Sequence, residues 1–549
     1  MEKRSLSKGL QFLLKTLMAL MCVSAVMLLL TDRVSAEEPE ITLSVNSGDD
    51  ISQALRDALK KYNKVIIPAG NYYCSAVKLN ARYDRVIVAT DAVITQNDTA
   101  FPIFYTTGNG TMTNLVIEGG TWDGANVDMP VFRFYGNTDN IVLSNLNIVN
   151  FKNAGIRLKD GTNVKLSGVT CSGNAGHGLF LENESNILIE NCTFSNCSNG
   201  INLSKCGGTI DINGSNMLGN AKNGLMVTDC PNINISNCEI KNNNTGIKMT
   251  GISENVSFNT VNANENNTYG LKIYDCTGKL NMTSVCAYDN GSSGFSIENC
   301  SNTVTINKSN AMRNNGSGFL ISKTSIITIT GCTVSDNIGH GINLDGITAP
   351  EGKKYCINIK GTQSNNNGKS GIRIINSSFS SVMTSNSNNN TEHGIYTKDC
   401  EGLYLKQNNV NENKKNGASI NNTKSVTSAE DAFVSNGQNG LRTDTSDSVT
   451  ITNGTYEKNK HSGVSLCNIG KVSVEGTSFS ENVSSGLNIE TVTNDVQVKN
   501  VNSLGNGGYG IRCKGVAVKV SAQDSFVNNN TGSGFYAAEC GDVVVNRCE

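Results

Sequence analysis

Tryptophan occurs once in the 549 residues, proline six times and histidine four times. Proline-rich linkers are therefore excluded, and any histidine chemistry must come from very few positions. Neither sign of charge dominates, with 45 Lys and Arg against 47 Asp and Glu for a net charge of −2. Neither sign clusters along the chain, which argues against nucleic acid or an anionic membrane as the main partner. Only one long apolar run exists, Thr16 to Leu30, and its 15 residues are short for a membrane span. No CxxC pair and no Cys/His group has zinc spacing.

That single run has a specific setting. Lys3, Arg4 and Lys8 precede it, and Val34–Ala36 follows as a small-residue cleavage site. The pattern predicts a signal peptide over residues 1–36 and a secreted or cell-surface chain with no membrane attachment after cleavage. Export invites disulfides, yet 17 cysteines remain after cleavage, an odd number, and their spacing follows another rule.

Glycine is what the chain has in plenty, 55 in all, with abundant Asn, Ser, Thr, Val and Ile. Glycine followed by an apolar residue recurs at 155, 178, 200, 224, 246, 270, 294, 318, 341, 371, 394, 417, 440, 463, 486, 510 and 534. Fifteen of the sixteen intervals are 22 to 24 residues long. Asparagine stands four residues before sixteen of the seventeen, at 174, 196, 220, 242, 266, 290, 314, 337, 367, 390, 413, 436, 459, 482, 506 and 530. Each unit also holds a second alternating stretch such as "ILIENC" (187–192) and no helical segment, so it reads as two or three short strands joined by Asn/Gly turns.

An asparagine column of this kind fits coils stacked about 4.8 Å apart, seventeen of which make a rod on the order of 80 Å long. The leucine-rich repeat shares the period, but it needs leucines where this chain has "KNNNTG" (241–246). The expected fold is all-β: a single-stranded right-handed parallel β-helix of about 17 or more coils over residues 65–549. Cysteines 206, 230, 276, 300, 400 and 540 lie six residues after the repeat glycine, which suits buried stacked thiols. The pairs 206/230 and 276/300 come within reach of a disulfide. Residues 37–64 form an N-terminal segment in which "DDISQALRDALKKYNK" (49–64) predicts a helix. Asp49 or Asp50 caps it, and Ile51, Ala54, Leu55, Ala58 and Leu59 make the face that plugs the coil stack. The last segment, "VVVNRCE", has no evident cap, so the expectation is either that the chain runs on beyond it or that this end docks on another chain.

The helix, "VIIPAGNYYCSAVKL" (65–79) and "IEGGTWDG" (117–124) resemble the opening of polygalacturonases and related members of the pectin-lyase-like superfamily. That resemblance implies the β-helix and a polysaccharide substrate. Polygalacturonases carry Asn-Thr-Asp, Asp-Asp, Gly-His-Gly and Arg-Ile-Lys on successive coils, because glycoside hydrolysis needs an acid and a base. Here "NTD" (137–139) falls in the turn before a strand, and no Asp-Asp follows in the repeats. "NAGHG" ends on the repeat glycine Gly178, and Arg-Ile-Lys is missing. His177, His340 and His393 share the position before the repeat glycine, which other coils fill with Asn, Ser, Thr or Tyr. A polar turn site and a ligand site are both open readings of that slot.

Alternation turns the residue two after each glycine outward. This column interleaves Arg, Lys, Phe and Tyr, which suits an acidic polysaccharide or surface glycan: guanidinium pairs with carboxylate and rings stack on sugars. Arg133 and Arg157 lead the column beside Trp122 and Asp123. In the turns nearby, Asp160, Glu182 and Glu184 suggest Ca²⁺, as in calcium-dependent pectate lyases. A second cluster lies beside the only long insertion, "GITAPEGKKY" (346–355): His340, Asn343, Asp345, Arg373, His393, Tyr396 and Lys398. The expected function is binding, with cleavage or epimerisation in reach, of an acidic polysaccharide. The alternatives are a non-catalytic adhesion rod and, with least support, a polygalacturonase.

Overall fold

The computed structural model describes residues 39–549 except 109, 110, 174 and 354. Residues 1–36, expected to be a signal peptide, and Asn174 of the asparagine column lie outside the described residues. The described chain is a parallel β-solenoid of about 22 turns with one helix. Seventeen coils carry the repeat glycine. The others come before Gly155, where strands such as Lys64–Ile66, Arg82–Val88 and Met112–Glu118 build the same coil without it.

Three strand faces make each coil. The first carries the strands at the repeat glycine, from Ala154–Lys159 and His177–Glu182 to Phe535–Ala538, and is continued upstream by Phe132–Tyr135. The second runs from Glu40–Thr42 to Asp542–Asn546, and the third consists of three-residue strands such as Thr193–Ser195. Alternating Val, Ile and Leu point inward, so Ile156, Leu179, Ile201 and Leu225 stack fully buried over one another. Trp122 belongs to this core rather than to the surface: it is fully buried between Ile94 and Ile148, and its indole N–H donates to the Gly119 carbonyl at 2.9 Å.

The column that fixes the coils is an internal amide ladder. From Asn220 it passes through Asn243, 266, 290, 314, 337, 367, 390, 413, 436, 459, 482 and 506 to Asn530. The Asn290 Nδ2 donates to Asn314 Oδ1 at 2.9 Å and to the Ala263 carbonyl at 3.1 Å. Asn314 Oδ1 also accepts the Asn290 backbone N–H at 3.0 Å. Every amide thus spends its donors and acceptor on the coils above and below, the condition for burying so polar a group.

Two members differ from the expected spacing. At Gly246 the ladder residue is Asn243, while Asn242 turns outward with φ of +59°. At Gly200 the slot is taken by Cys197, whose N–H donates to Asn220 Oδ1 at 3.0 Å, and Asn196 is exposed with φ of +53°. Both units are a residue shorter between turn and glycine, and asparagine tolerates the left-handed turn just outside the ladder.

All described cysteines are free thiols, most of them buried. Within the stacked pairs, Cys206 Sγ donates to the Ser204 carbonyl and Cys230 Sγ to that of Thr228. Each thiol therefore has a partner without a disulfide. The helix is Ser52–Lys61, packed against the strands Lys64–Ile66, Val77–Lys78 and Arg82–Val88. Ile51, Leu55 and Leu59 are fully buried, whereas Ala54 is only partly so. Ile51 occupies the N-cap, and Asp50 accepts the Ser52 N–H at 2.9 Å from one residue further out.

The asparagine frame generates a direct test. Asn243→Ala leaves the buried Asn220 N–H and the Met217 carbonyl without their partners, which costs about 3 kcal/mol or more. Asn242→Ala strains only an exposed turn, at about 1 kcal/mol. Chemical denaturation should therefore show a large loss for the first substitution and a small one for the second.

Candidate functional site

On the first face the expected outward column is a continuous register. Arg133 pairs with Arg157, Arg157 with Phe180, Lys248 with Lys272, Asn343 with Arg373 and Arg373 with Tyr396. Pairing carries it upstream through Tyr105 to Lys78.

Two adjoining cavities open along the edge where the chain enters this face. One, of about 350 Å³, is lined by His340, Lys369, Ser370, Arg373, Glu392, His393, Tyr396 and Lys415. The other, of about 540 Å³, continues over Leu320, Asn343 and the Gly316 and Gly339 turns, and shares His340, Lys369 and Arg373. Together they form one groove. Of the sequence candidates, His340, Asn343, Arg373, His393 and Tyr396 meet there. Asp345 and Lys398 stand two residues further along their strands, where Asp345 accepts from Asn376 Nδ2 at 2.9 Å and Lys398 faces Asp399 at 3.8 Å. The insertion 346–355 leaves from the far end of strand Ile342–Asp345, and its described residues line neither cavity.

Sequence reasoning missed Lys369, Glu392 and Lys415. All three sit two residues before a repeat glycine, on consecutive coils, so a column reading at that position shows Lys, Glu, Lys in succession. Glu392 accepts from Lys415 Nζ at 3.2 Å and from Ser370 Oγ at 3.5 Å. Burial, the largest single influence, pushes its carboxyl up, but the Lys415 bond, the Lys415 charge and the nearby His340 and His393 together hold it below the usual carboxylate value. Among the described residues the Arg373 guanidinium donates only to the neutral Asn343 side chain, at 2.7 Å. Lys369 has no ion-pair partner among the described residues. The groove therefore holds three cations and a single carboxylate.

The histidines have a defined structural task. His340 Nδ1 accepts the Ser370 backbone N–H at 3.1 Å, and His393 Nδ1 accepts that of Asn416 at 3.3 Å. Asn199 Oδ1 and Ser293 Oγ do the same for Asn223 and Ser317 in coils without histidine. An Nδ1 that accepts carries no proton, so the proton lies on Nε2. Burial, with Arg373 and Lys369 adding for His340 and Lys415 for His393, pushes both pKa values down to about 4. Both rings are thus neutral Nε2–H donors at physiological pH. The His393 ring also stacks on Tyr396 at 5.6 Å.

The N-terminal candidates are arranged differently. Arg133 lies 5.6 Å from the ring centroids of both Tyr105 and Tyr135, and Arg157 lies 5.5 Å from Tyr135 and 4.9 Å from Phe180. His177 Nδ1 faces Asn199 Nδ2 at 3.1 Å, and burial lowers its pKa. Asp160, Glu182 and Glu184 are not brought together. Glu182 pairs with Lys159 at 2.9 Å and Asp160 accepts from Asn183 Nδ2 at 2.8 Å. Glu184 turns into the core, 1% exposed, where it accepts the Gly161 N–H at 3.1 Å. Among the described residues no group of three or more His, Cys, Asp or Glu forms a metal site, so the calcium expectation fails on geometry. A ligand set needs several oxygens on one point, and here each acid serves a different neighbour.

Burial raises the Glu184 pKa to about 8. The unfolded carboxyl ionises near 4.5 while the folded one stays protonated to about 8, so stability is lost as pH rises through that window. Glu184→Gln removes this loss. Its thermal midpoint should gain on the wild type between pH 5 and 8, by up to about 5 kcal/mol in stability. A second pair of variants tests the histidine slot. His393→Asn keeps an acceptor for the Asn416 N–H and should preserve stability, whereas His393→Leu removes it at about 1–3 kcal/mol, read by denaturation.

A family profile described as "Right handed beta helix region" matches residues 131–281, 265–352 and 429–549, more than half of the chain. No curated protein matches. Among solved structures, the surface adhesin PfbA of Streptococcus pneumoniae is similar at 13% identity, over 67% of this chain and 91% of that one, with a TM-score of 0.30. An exopolygalacturonase from Thermotoga maritima is similar at 12% identity, over 68% and 93%, with a TM-score of 0.33. Likenesses this distant leave the activity open. The stacked parallel coils and the extent of the profile match place this chain in the right-handed β-helix family.

Proposed function

We propose that this chain is an exported protein that binds an acidic polysaccharide through the groove around Arg373. The observation that carries the reading is the groove's imbalance: Lys369, Arg373 and Lys415 face one carboxylate, Glu392, already held by Lys415. An Arg fork suits a uronate carboxylate. The neutral His340 and His393 Nε2–H groups suit sugar hydroxyls, and the Tyr396 ring suits a sugar face. Export rests on the features of residues 1–36. Among the described residues no helix is long and apolar enough to cross a membrane.

The same inventory favours binding over hydrolysis. A glycosidase needs two carboxyl groups flanking the bond, and the groove lining supplies one. A histidine whose Nδ1 already accepts a backbone N–H carries its proton on Nε2 and offers no free base to the ligand. An adhesion rod that holds a surface glycan is compatible with this chemistry.

Binding to polygalacturonate, alginate and hyaluronan tests the reading. Arg373→Ala and Lys369→Ala should each weaken the best of these by about tenfold, with no ultraviolet-absorbing unsaturated product released. Unchanged affinity in both variants, or no binding to any of the three, would overturn it.

A further inference from the structure

Cross-strand neighbours of like charge repel when they lie directly opposite in register. On the first face Arg133 is the register partner of Arg157, and Lys248 that of Lys272. In register from Lys78 to Tyr536 this column carries eight cations and no carboxylate, in a chain whose charges nearly balance.

The parallel column two residues further along the same strands behaves otherwise. It holds Glu182, Glu298, Asp345, Asp444 and Glu490, and its lysines 159, 398 and 514 all face acids. By contrast, Arg133, Lys248, Lys272 and Arg373 have no ion pair among the described residues and Arg157 reaches Glu182 only at 4.0 Å, whereas beyond the groove Arg442 pairs with Asp444 at 3.6 Å and Arg512 with Glu490. Aromatic rings flank the unpaired cations instead: Tyr105 and Tyr135 at Arg133, Tyr274 at Lys248 (5.9 Å) and Tyr269 at Lys272 (5.0 Å).

The spacing is regular. Arg133, Lys248 and Arg373 lie five coils apart in the register, and Arg157 and Lys272 each follow one coil later. We infer that this column is one continuous track for an extended acidic polysaccharide laid parallel to the solenoid axis, with the Arg373 groove as its end anchor. From Arg133 to Arg373 it spans ten coils, roughly 48 Å. Rigid coils hold the unpaired cations against their own repulsion, and a polyanion lying over them relieves it. The polymer gains from several weak anchors at once.

The inference rests on the groove reading, and the test separates the two. A tetra-uronate and a uronate chain about three times as long are titrated against the full chain by calorimetry. The wild type should bind the long chain at least tenfold more tightly, and the double variant Lys248→Glu/Lys272→Glu should lose that length advantage, with circular dichroism confirming the fold. The milder Lys248→Gln/Lys272→Gln should lose part of it. Equal affinity for both lengths in the wild type, or a length advantage intact in both double variants, overturns the track. Arg373→Ala failing to weaken either ligand overturns the groove reading itself.

Discussion

A buried amide with any unmet donor or acceptor destabilises the core that contains it. In this chain the amides from Asn220 to Asn530 meet that demand chiefly from one another and from the backbone one coil away. A coil displaced by one residue leaves its asparagine facing carbon. The ladder therefore does more than add hydrogen bonds: it fixes where every coil begins, and with it the position of every outward side chain. Where the turn shortens by one residue, at Gly200 and Gly246, the ladder position is kept and the turn gives way.

Fixed register has an electrostatic consequence. A surface lysine on a loop can swing toward a carboxylate, whereas a side chain projecting from a stacked strand has neighbours set by the coils above and below. Lys159 and Arg157 are on one strand and two residues apart, yet the first has Glu182 at 2.9 Å and the second mainly aromatic rings. The lattice thus sorts charge into columns. A column of cations without acids presents a line of charge along the axis, the shape of an extended polyanion rather than of a small molecule.

The solenoid was legible in the sequence because its period, its glycine and its asparagine recur at constant spacing. So was the outward column, because strand alternation needs only parity. The groove was half legible. Arg373 and Tyr396 lie on strands and followed from the frame, as did His393 from its place before the repeat glycine, but Lys369, Glu392 and Lys415 lie in turns. There the residue spacing does not reveal which side chains point inward to the groove. Trp122, which the sequence sets beside Arg133 and Arg157, belongs instead to the core by its inward parity between Ile94 and Ile148. The acids 182 and 184 are close in sequence and lie one coil beyond Asp160, but a corner between them sends Glu184 into the core and leaves Glu182 outside.

The central claim is that ligand meets protein on the first face, beside Arg373 and along the axis. A crystal structure of the chain with an oligouronate tests it most directly. The account predicts sugar density against Arg373, Lys369 and Tyr396, its long axis parallel to the coil stack and leading toward Lys272 and Lys248. Density on the second or third face, or lying across the coils, would contradict it.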